Sequence, residues 1–331
     1  LYFSSQERGI LEISKIYAPV QEDLLKVRDR LKAVSKVDFD HLSELLDYSL
    51  QNNGKMIRPA LTLLSGKLYN HNLDRLLAMA TAVELMHTAT LIHDDAIDNS
   101  MVRRGKATVN TLWGEDEAVL LGDYLFAQAG AVTATTENLR VIRNFAETLK
   151  TISSGEINQA YNSFNLEQSR DQYFKRIAQK TAALFSLSTE SGAVLSEAPE
   201  ESIQIIAAYG YNLGIAFQIV DDILDYIGTE EELGKPTGSD LTQGTLTLPA
   251  MLILEYYPKD NPVKKLFSKK GGIDEIKLVI EMVRNSPAVQ ECYQIALNYC
   301  VKASRNLKQL PDNANRQSLI ELVDFITYRK K

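Results

Sequence analysis

The chain has 331 residues, 45% apolar and 24% charged, values of a globular protein with room for a large core. Its net charge of -7 argues against nucleic acid as a partner, and no apolar run approaches the ~18 residues of a transmembrane helix. Two cysteines, Cys292 and Cys300, exclude a disulfide scaffold and suit a reduced, cytoplasmic compartment.

Apolar residues recur with helical period over 10–34, 42–50, 59–68, 73–97, 118–134, 139–161, 173–195, 202–227, 248–256, 273–283, 289–307 and 317–328. Breaks fall at Asn52-Asn53-Gly54, Tyr69-Asn70-His71, Glu197-Ala198-Pro199, Gly234-Lys235-Pro236 and Lys270-Gly271-Gly272. Asp171 and Ser202 are expected N-caps. No segment reads as a strand. Several helices near 25 residues are apolar on two faces, as the central helices of a bundle must be. Leu1-Tyr2-Phe3-Ser4 resembles a remnant of an engineered protease site, so residues 1–5 are set aside. No Pro/Ser-rich linker interrupts 6–331, which is expected to form one all-α domain.

One short acidic motif occurs twice, as Asp94-Asp95-Ala96-Ile97-Asp98 and Asp221-Asp222-Ile223-Leu224-Asp225. Helix pitch puts positions i and i+4 on one face, ~6 Å apart along the axis. Asp94 therefore shares a face with Asp98, and Asp221 with Asp225. A single such motif on a surface is a solvated acidic patch. Two inside apolar helices repel themselves and cost desolvation unless cations sit between the carboxylates. Oxygen-only donors favour Mg²⁺, which takes a few carboxylates plus substrate phosphates. Two facing sites would clamp a diphosphate.

Basic groups complement the acidic ones. Lys55 and Arg58 are three apart around the start of a helix, with Pro59 suited to its first turn. Arg103-Arg104-Gly105 follows the first motif. Lys180-Thr181 sits against Ala182-Ala183-Leu184-Phe185, and Lys235 lies in a Gly/Pro loop. Each alone reads as a surface charge. Together they suffice for two diphosphates, Arg through its fork and Lys as a point charge. Glu84-Leu85-Met86-His87 has the E-x-x-H spacing of di-iron bundles, but the chain lacks a second copy. His87 suits a phosphate donor, and His93 a supporting role beside Asp94.

These segments resemble the trans-isoprenyl diphosphate synthases (polyprenyl synthetases), most like the long-chain octaprenyl and solanesyl types. The likeness runs from about Ile10 through GKMIRP at 54–59, ELMHTATLIHDDAID at 84–98, RRG at 103–105 and GD at 122–123. It continues through KTAALF at 180–185, GIAFQIVDDILD at 214–225 and GKPTGSDLTQGTLTLP at 234–249. It implies a single-domain all-α bundle with a central cavity, the isoprenoid synthase fold, usually homodimeric. It also implies three Mg²⁺ ions around an allylic diphosphate, farnesyl or geranylgeranyl. Asp94, Asp98 and Asp221 are then direct ligands, while Asp95, Asp222 and Asp225 act at one remove. Arg103, Lys180 and Lys235 hold the same diphosphate. Isopentenyl diphosphate sits on Lys55, Arg58, His87 and Arg104. Thr181 and Gln218 stabilise the allylic cation. Asn53 replaces a common Gly, and Thr245 a Lys of short-chain members. The basic end Arg329-Lys330-Lys331 resembles a tail that covers the second substrate.

Ala89 lies five residues before Asp94 and is followed by Thr90, where bulky aromatics would plug the cavity. Met86 and Ala82 lie deeper, at ~5.4 Å per turn. Ala82, Met86, Ala89 and Thr90 are thus the expected length determinants, with Phe145, Leu149 or Ile152 as the floor. The expected product is a C30–C50 all-trans chain; a geranylgeranyl (C20) product is the alternative. A terpene cyclase usually lacks the second motif and the GKxxRP segment. A regulatory subunit of a heteromeric synthase usually loses acidic motifs.

Overall fold

The computed structural model describes residues 12–51, 54–229, 237–268 and 271–328. Residues 1–5, Asn53, Lys235 and the basic end at 329–331 lie outside these. The main helices are α1 (Gln21–Val34), α2 (Asp40–Leu50), α3 (Ile57–Gly66), α4 (Leu73–Ile97), α5 (Glu115–Ala134), α6 (Leu139–Tyr161), α7 (Arg170–Ile177) and α8 (Ala183–Leu195). They continue as α9 (Glu200–Ile227), α10 (Leu248–Tyr256), α11 (Pro262–Phe267), α12 (Ile273–Arg284), α13 (Ala288–Ser304) and α14 (Ala314–Tyr328). Short helical turns join some of them.

The expectation of no strand needs one correction. Val102–Arg103 and Lys106–Ala107, here β1 and β2, pair antiparallel across the two-residue loop Arg104-Gly105. Both loop residues have positive φ, 51° and 75°. Such a turn matches the twist of the strands, at a cost of ~1–2 kcal/mol for the non-glycine Arg104. Periodicity cannot register a strand of two residues.

The expected N-caps also move. Ser169, not Asp171, caps α7 through a capping box with Gln172, and Pro199 rather than Ser202 precedes α9. The Ser169 side chain starts α7 sooner, and Pro199, fixing φ at the entry, does the same for α9.

Helix α4 packs against α1, α3, α5 and α8, so nearly every face must be apolar. Helix α9 packs against α8, α12, α13 and α14. Its residues Ile203 to Leu213 belong to one apolar core and Ile219 to Tyr226 to a second, so one helix ties both together. On an 18-residue average, α4 and α9 reach mean hydropathies of 1.3 and 1.4, enough by length and composition to cross a membrane. The expectation that no segment approaches such a span is therefore corrected. Within the fold, 72% and 56% of these windows are buried. Helices encased by protein need the same apolar surface as helices encased by lipid.

Candidate active site

Both acidic motifs occupy the last turns of their helices, α4 and α9. A helix C-terminus carries roughly -0.5 charge, so the carboxylates sit where the backbone is already negative. That arrangement is unfavourable for anions and favourable for cations between them. Helix α8 packs against both α4 and α9.

The six aspartates separate into two groups. Asp95 is buried, and Arg103 Nε donates to both its oxygens at 2.8 and 2.7 Å. Buried Asp222 accepts from Tyr173 Oη at 2.7 Å and from Gln218 Nε2 at 2.8 Å. Buried Asp225 accepts from Ser239 Oγ at 2.9 Å and the Asp240 backbone N–H at 3.3 Å. These three brace the site. Asp94 and Asp98 on α4 and Asp221 on α9 are all partly exposed. Among the described residues, no three acidic, His or Cys groups converge as a ready-made metal cage. An oxygen-only pair at i and i+4 matches Mg²⁺, which completes its octahedron with phosphate oxygens and water rather than an all-protein cage.

Lys180 joins the first motif to α6. Its Nζ lies 2.9 Å from Glu156 Oε1 and 3.4 Å from Asp94 Oδ2. Burial alone would lower its pKa, but Asp94, Glu156 and Asp98 outweigh this and hold it above the ordinary lysine value. Burial raises the Asp98 pKa, with Lys180 opposing, and Asp94 and Asp240 adding to the rise. Since Asp240 also donates to Asp225, the first motif feels the surroundings of the second. Burial, reinforced by Asp240, pushes Asp222 up to about 7.

Lys180 and Thr181 lie in a π-helical stretch, Ala178–Ala182, between α7 and α8. One extra residue in the turn re-aims the side chains it carries. Thr181 Oγ1 donates to Gln218 Oε1 at 2.5 Å, and Gln218 passes the chain to Asp222. Thr181 and Gln218 are thus brought together, with the Gln218 oxygen already accepting one proton. Gly155 makes the neighbouring contact possible: a Cβ there would lie 2.9 Å from Gln179 Cβ. Its close approach places Glu156 of α6 beside Lys180.

A second, cationic cluster forms from the turn before α3 and its first residues, from α4 and from the hairpin. Arg104 packs on Gly54, whose φ is +45° and whose added Cβ would lie 2.5 Å from the guanidinium. Arg58 lies over the Phe185 ring at 5.0 Å, and Lys55 over Phe325 of α14 at 5.4 Å. Burial, then Arg58, Arg104 and Arg103, hold the His87 pKa well below the ordinary range. His87 therefore stays neutral and offers an N–H donor. Buried Glu84, one turn earlier, faces Arg58 and Arg104. Burial raises it to about 7 against their pull. No second E-x-x-H accompanies it, so this pair serves the basic cluster. His93 turns away, 2.9 Å from the Val119 carbonyl.

Ala82, Met86 and Ala89 are fully buried beneath the first motif, and Thr90 partly so. Phe145 and Ile152 of α6 are buried and Leu149 packs against the same core. Grooves of about 580 and 610 Å³ lie elsewhere, the first around Phe174, Gln179 and Tyr211, the second around Tyr48 and Trp113. Neither is lined by the aspartates.

Sequence reasoning missed Glu156, Asp240, Ser239 and Tyr173. Asp240 and Ser239 stood inside the GKPTGSDLTQG segment. Gly155 in mid-helix was a signal of close approach, and Glu156 follows it. Nothing local distinguishes Tyr173.

The polyprenyl synthetase family model matches residues 39–283. A prenyl transferase of Synechocystis sp. is 35% identical over 97% of this chain and 99% of its own length. Component 2 of the heptaprenyl diphosphate synthase of Geobacillus stearothermophilus is 35% identical over 96% of this chain and 99% of its own. The solved polyprenyl synthase of Caulobacter crescentus, complexed with calcium and isoprenyl diphosphate, superposes with a TM-score of 0.93. It is 31% identical and covers 98% of this chain and 100% of its own.

Proposed function

Because this chain belongs to the polyprenyl synthetase family, we propose that it condenses an allylic diphosphate with isopentenyl diphosphate into a C30–C50 all-trans polyprenyl diphosphate. The observation that carries this reading is an acidic end of α4 paired with Lys180 and coupled through Asp240 to the acidic end of α9, beside a cluster of Arg58, Arg104 and His87. The first suits a diphosphate bound through metal, the second a diphosphate bound without it.

Asp94, Asp98 and Asp221 would hold Mg²⁺, with three ions expected when the allylic diphosphate is present. Bound Mg²⁺ supplies the positive charge that lets pyrophosphate leave. Lys180 and Arg103 add fixed positive charge where negative charge develops, in a partly buried site where such charge counts most. Lys235 is assigned to the same diphosphate. As the allylic C1–O bond breaks, the Thr181 hydroxyl oxygen and the Gln218 amide oxygen face the cation. The isopentenyl double bond attacks C1, and the proton lost from that unit passes to the departing pyrophosphate. Neutral His87 with Lys55, Arg58 and Arg104 holds the second diphosphate through charge-assisted hydrogen bonds.

The small side chain of Ala89 below Asp94 supports a long product over C20. Farnesyl or geranylgeranyl diphosphate is the proposed primer. A homodimer is supported by apolar residues exposed on α5 and α6, among them Leu120 at 64%, Ile157 at 72% and Tyr161 at 89%. Free, buried Cys292 and Cys300 support a reducing, cytoplasmic setting. The name of the Geobacillus relative, a component 2, favours one second reading, in which another subunit is needed for activity.

Purified chain is incubated with Mg²⁺, farnesyl diphosphate and radiolabelled isopentenyl diphosphate, and the products are sized. Products of C30–C50 are expected. Products ending at C20 overturn the long-chain reading. No product from the purified chain favours the two-subunit reading.

A further inference from the structure

We propose that Glu156 is a positioning residue that competes with Asp94 for the Lys180 ammonium and keeps it from closing fully on Asp94, so that Asp94 can pass to Mg²⁺ and Lys180 to the allylic diphosphate. This rests on the reading above. One ammonium stands between two carboxylates from different helices. It lies 2.9 Å and 3.1 Å from the two Glu156 oxygens but 3.4 Å from Asp94. The geometry favours Glu156. All three side chains are partly shielded, at 29% exposure for Lys180, 21% for Glu156 and 14% for Asp94, so the choice of partner is not washed out by solvent.

Two features of the backbone enforce this choice. Gly155 lets α6 close on the π-helical stretch, and that stretch turns Lys180 toward α6 and α4. Remove the charge of Glu156, and Asp94 becomes the strongest acceptor left for the ammonium, with Asp98 adding to the pull. Mg²⁺ must then compete with an ion pair that Glu156 no longer weakens. With Glu156 present, the ammonium already has a partner. When metal takes Asp94, it stays at the edge of the site instead of being repelled into solvent.

The test is calorimetric titration of Mg²⁺ into the protein with inorganic pyrophosphate, for wild type, Glu156→Gln, Lys180→Met and the double variant. Glu156→Gln should weaken Mg²⁺ by about tenfold, the scale of one charge-assisted hydrogen bond. In the Lys180→Met background the same change should move the affinity less than about twofold, since the competitor is gone. Glu156→Asp should restore most of the affinity, and the KM for isopentenyl diphosphate should not change. An unchanged Mg²⁺ affinity in Glu156→Gln overturns the proposal. So does an equal loss in both backgrounds, which would place Glu156 on the metal itself or in the fold. A wild type that shows these Mg²⁺ affinities but whose products end at C20 overturns the long-chain reading instead, so the two failures separate.

Discussion

Replacing Gly155 with Ala tests whether the close approach of α6 to the π-helical stretch sets the active-site geometry. The new Cβ would sit 2.9 Å from Gln179 Cβ and 3.7 Å from the Lys180 backbone nitrogen. Carbon atoms settle at about 3.5–4.0 Å, so the two segments must part by about 0.6–1 Å. Alanine in a helix interior gains ~1 kcal/mol over glycine. Overpacking against a β-carbon next to the backbone costs ~1–3 kcal/mol. The balance is a net loss of about 0–2 kcal/mol, read as a shift in the urea midpoint at constant slope. The functional effect should be larger, because the displaced segment carries Lys180 and Thr181. A misplacement near 1 Å can cost about a hundredfold in turnover. Gly130→Ala is the control: its Cβ meets only Phe145 Cε1, at the ordinary distance of 3.9 Å, and should stabilise by up to ~1 kcal/mol. If Gly155→Ala is also more stable by ~1 kcal/mol and turns over normally, the close approach has no role in the site.

Asp94→Ala and Asp221→Ala should each lower turnover by orders of magnitude while circular dichroism stays native; normal turnover in both would remove the metal clamp. Ala89→Phe should shorten the product to about C15–C20, because the ring fills the space one turn below Asp94, and an unaltered product distribution would show that the chain grows elsewhere. Glu84 has a folded pKa raised from 4.5 to about 7, so its contribution to stability is complete below pH 4.5 and is lost as the pH rises through 7. Glu84→Gln should therefore stabilise the protein at pH 8, by about 3 kcal/mol at most, and be nearly neutral at pH 5. Parallel melting profiles of the two proteins from pH 5 to 8 would contradict that.

Local spacing alone determined much of this site. Helical periodicity located every long helix. Helix pitch put Asp94 with Asp98 and Asp221 with Asp225, because a repeat of 3.6 residues needs no tertiary information. The excess of carboxylates in apolar surroundings called for cations for the same reason. What no window of sequence contained was the identity of each partner. Asp222 is tied to a tyrosine 49 residues away, Lys180 to a glutamate 24 residues away, and Arg176 to a carbonyl 70 residues away. Such pairings arise only when separate helices pack, and they set Asp95, Asp222 and Asp225 apart from three similar aspartates that stay partly exposed. The π-helical turn and the Arg104-Gly105 hairpin were hidden for a related reason. Each is a departure of a residue or two from regular backbone, held in place by long-range contacts and too short to leave a period. That α4 and α9 are apolar enough to span a membrane escaped the search for uninterrupted apolar runs, and their packing against neighbouring helices accounts for that composition. Local chemistry specified the elements and the kind of ligand, while the fold decided which carboxylates are buried and braced and which stay partly exposed, since desolvation and pairing are properties of neighbours distant in the chain.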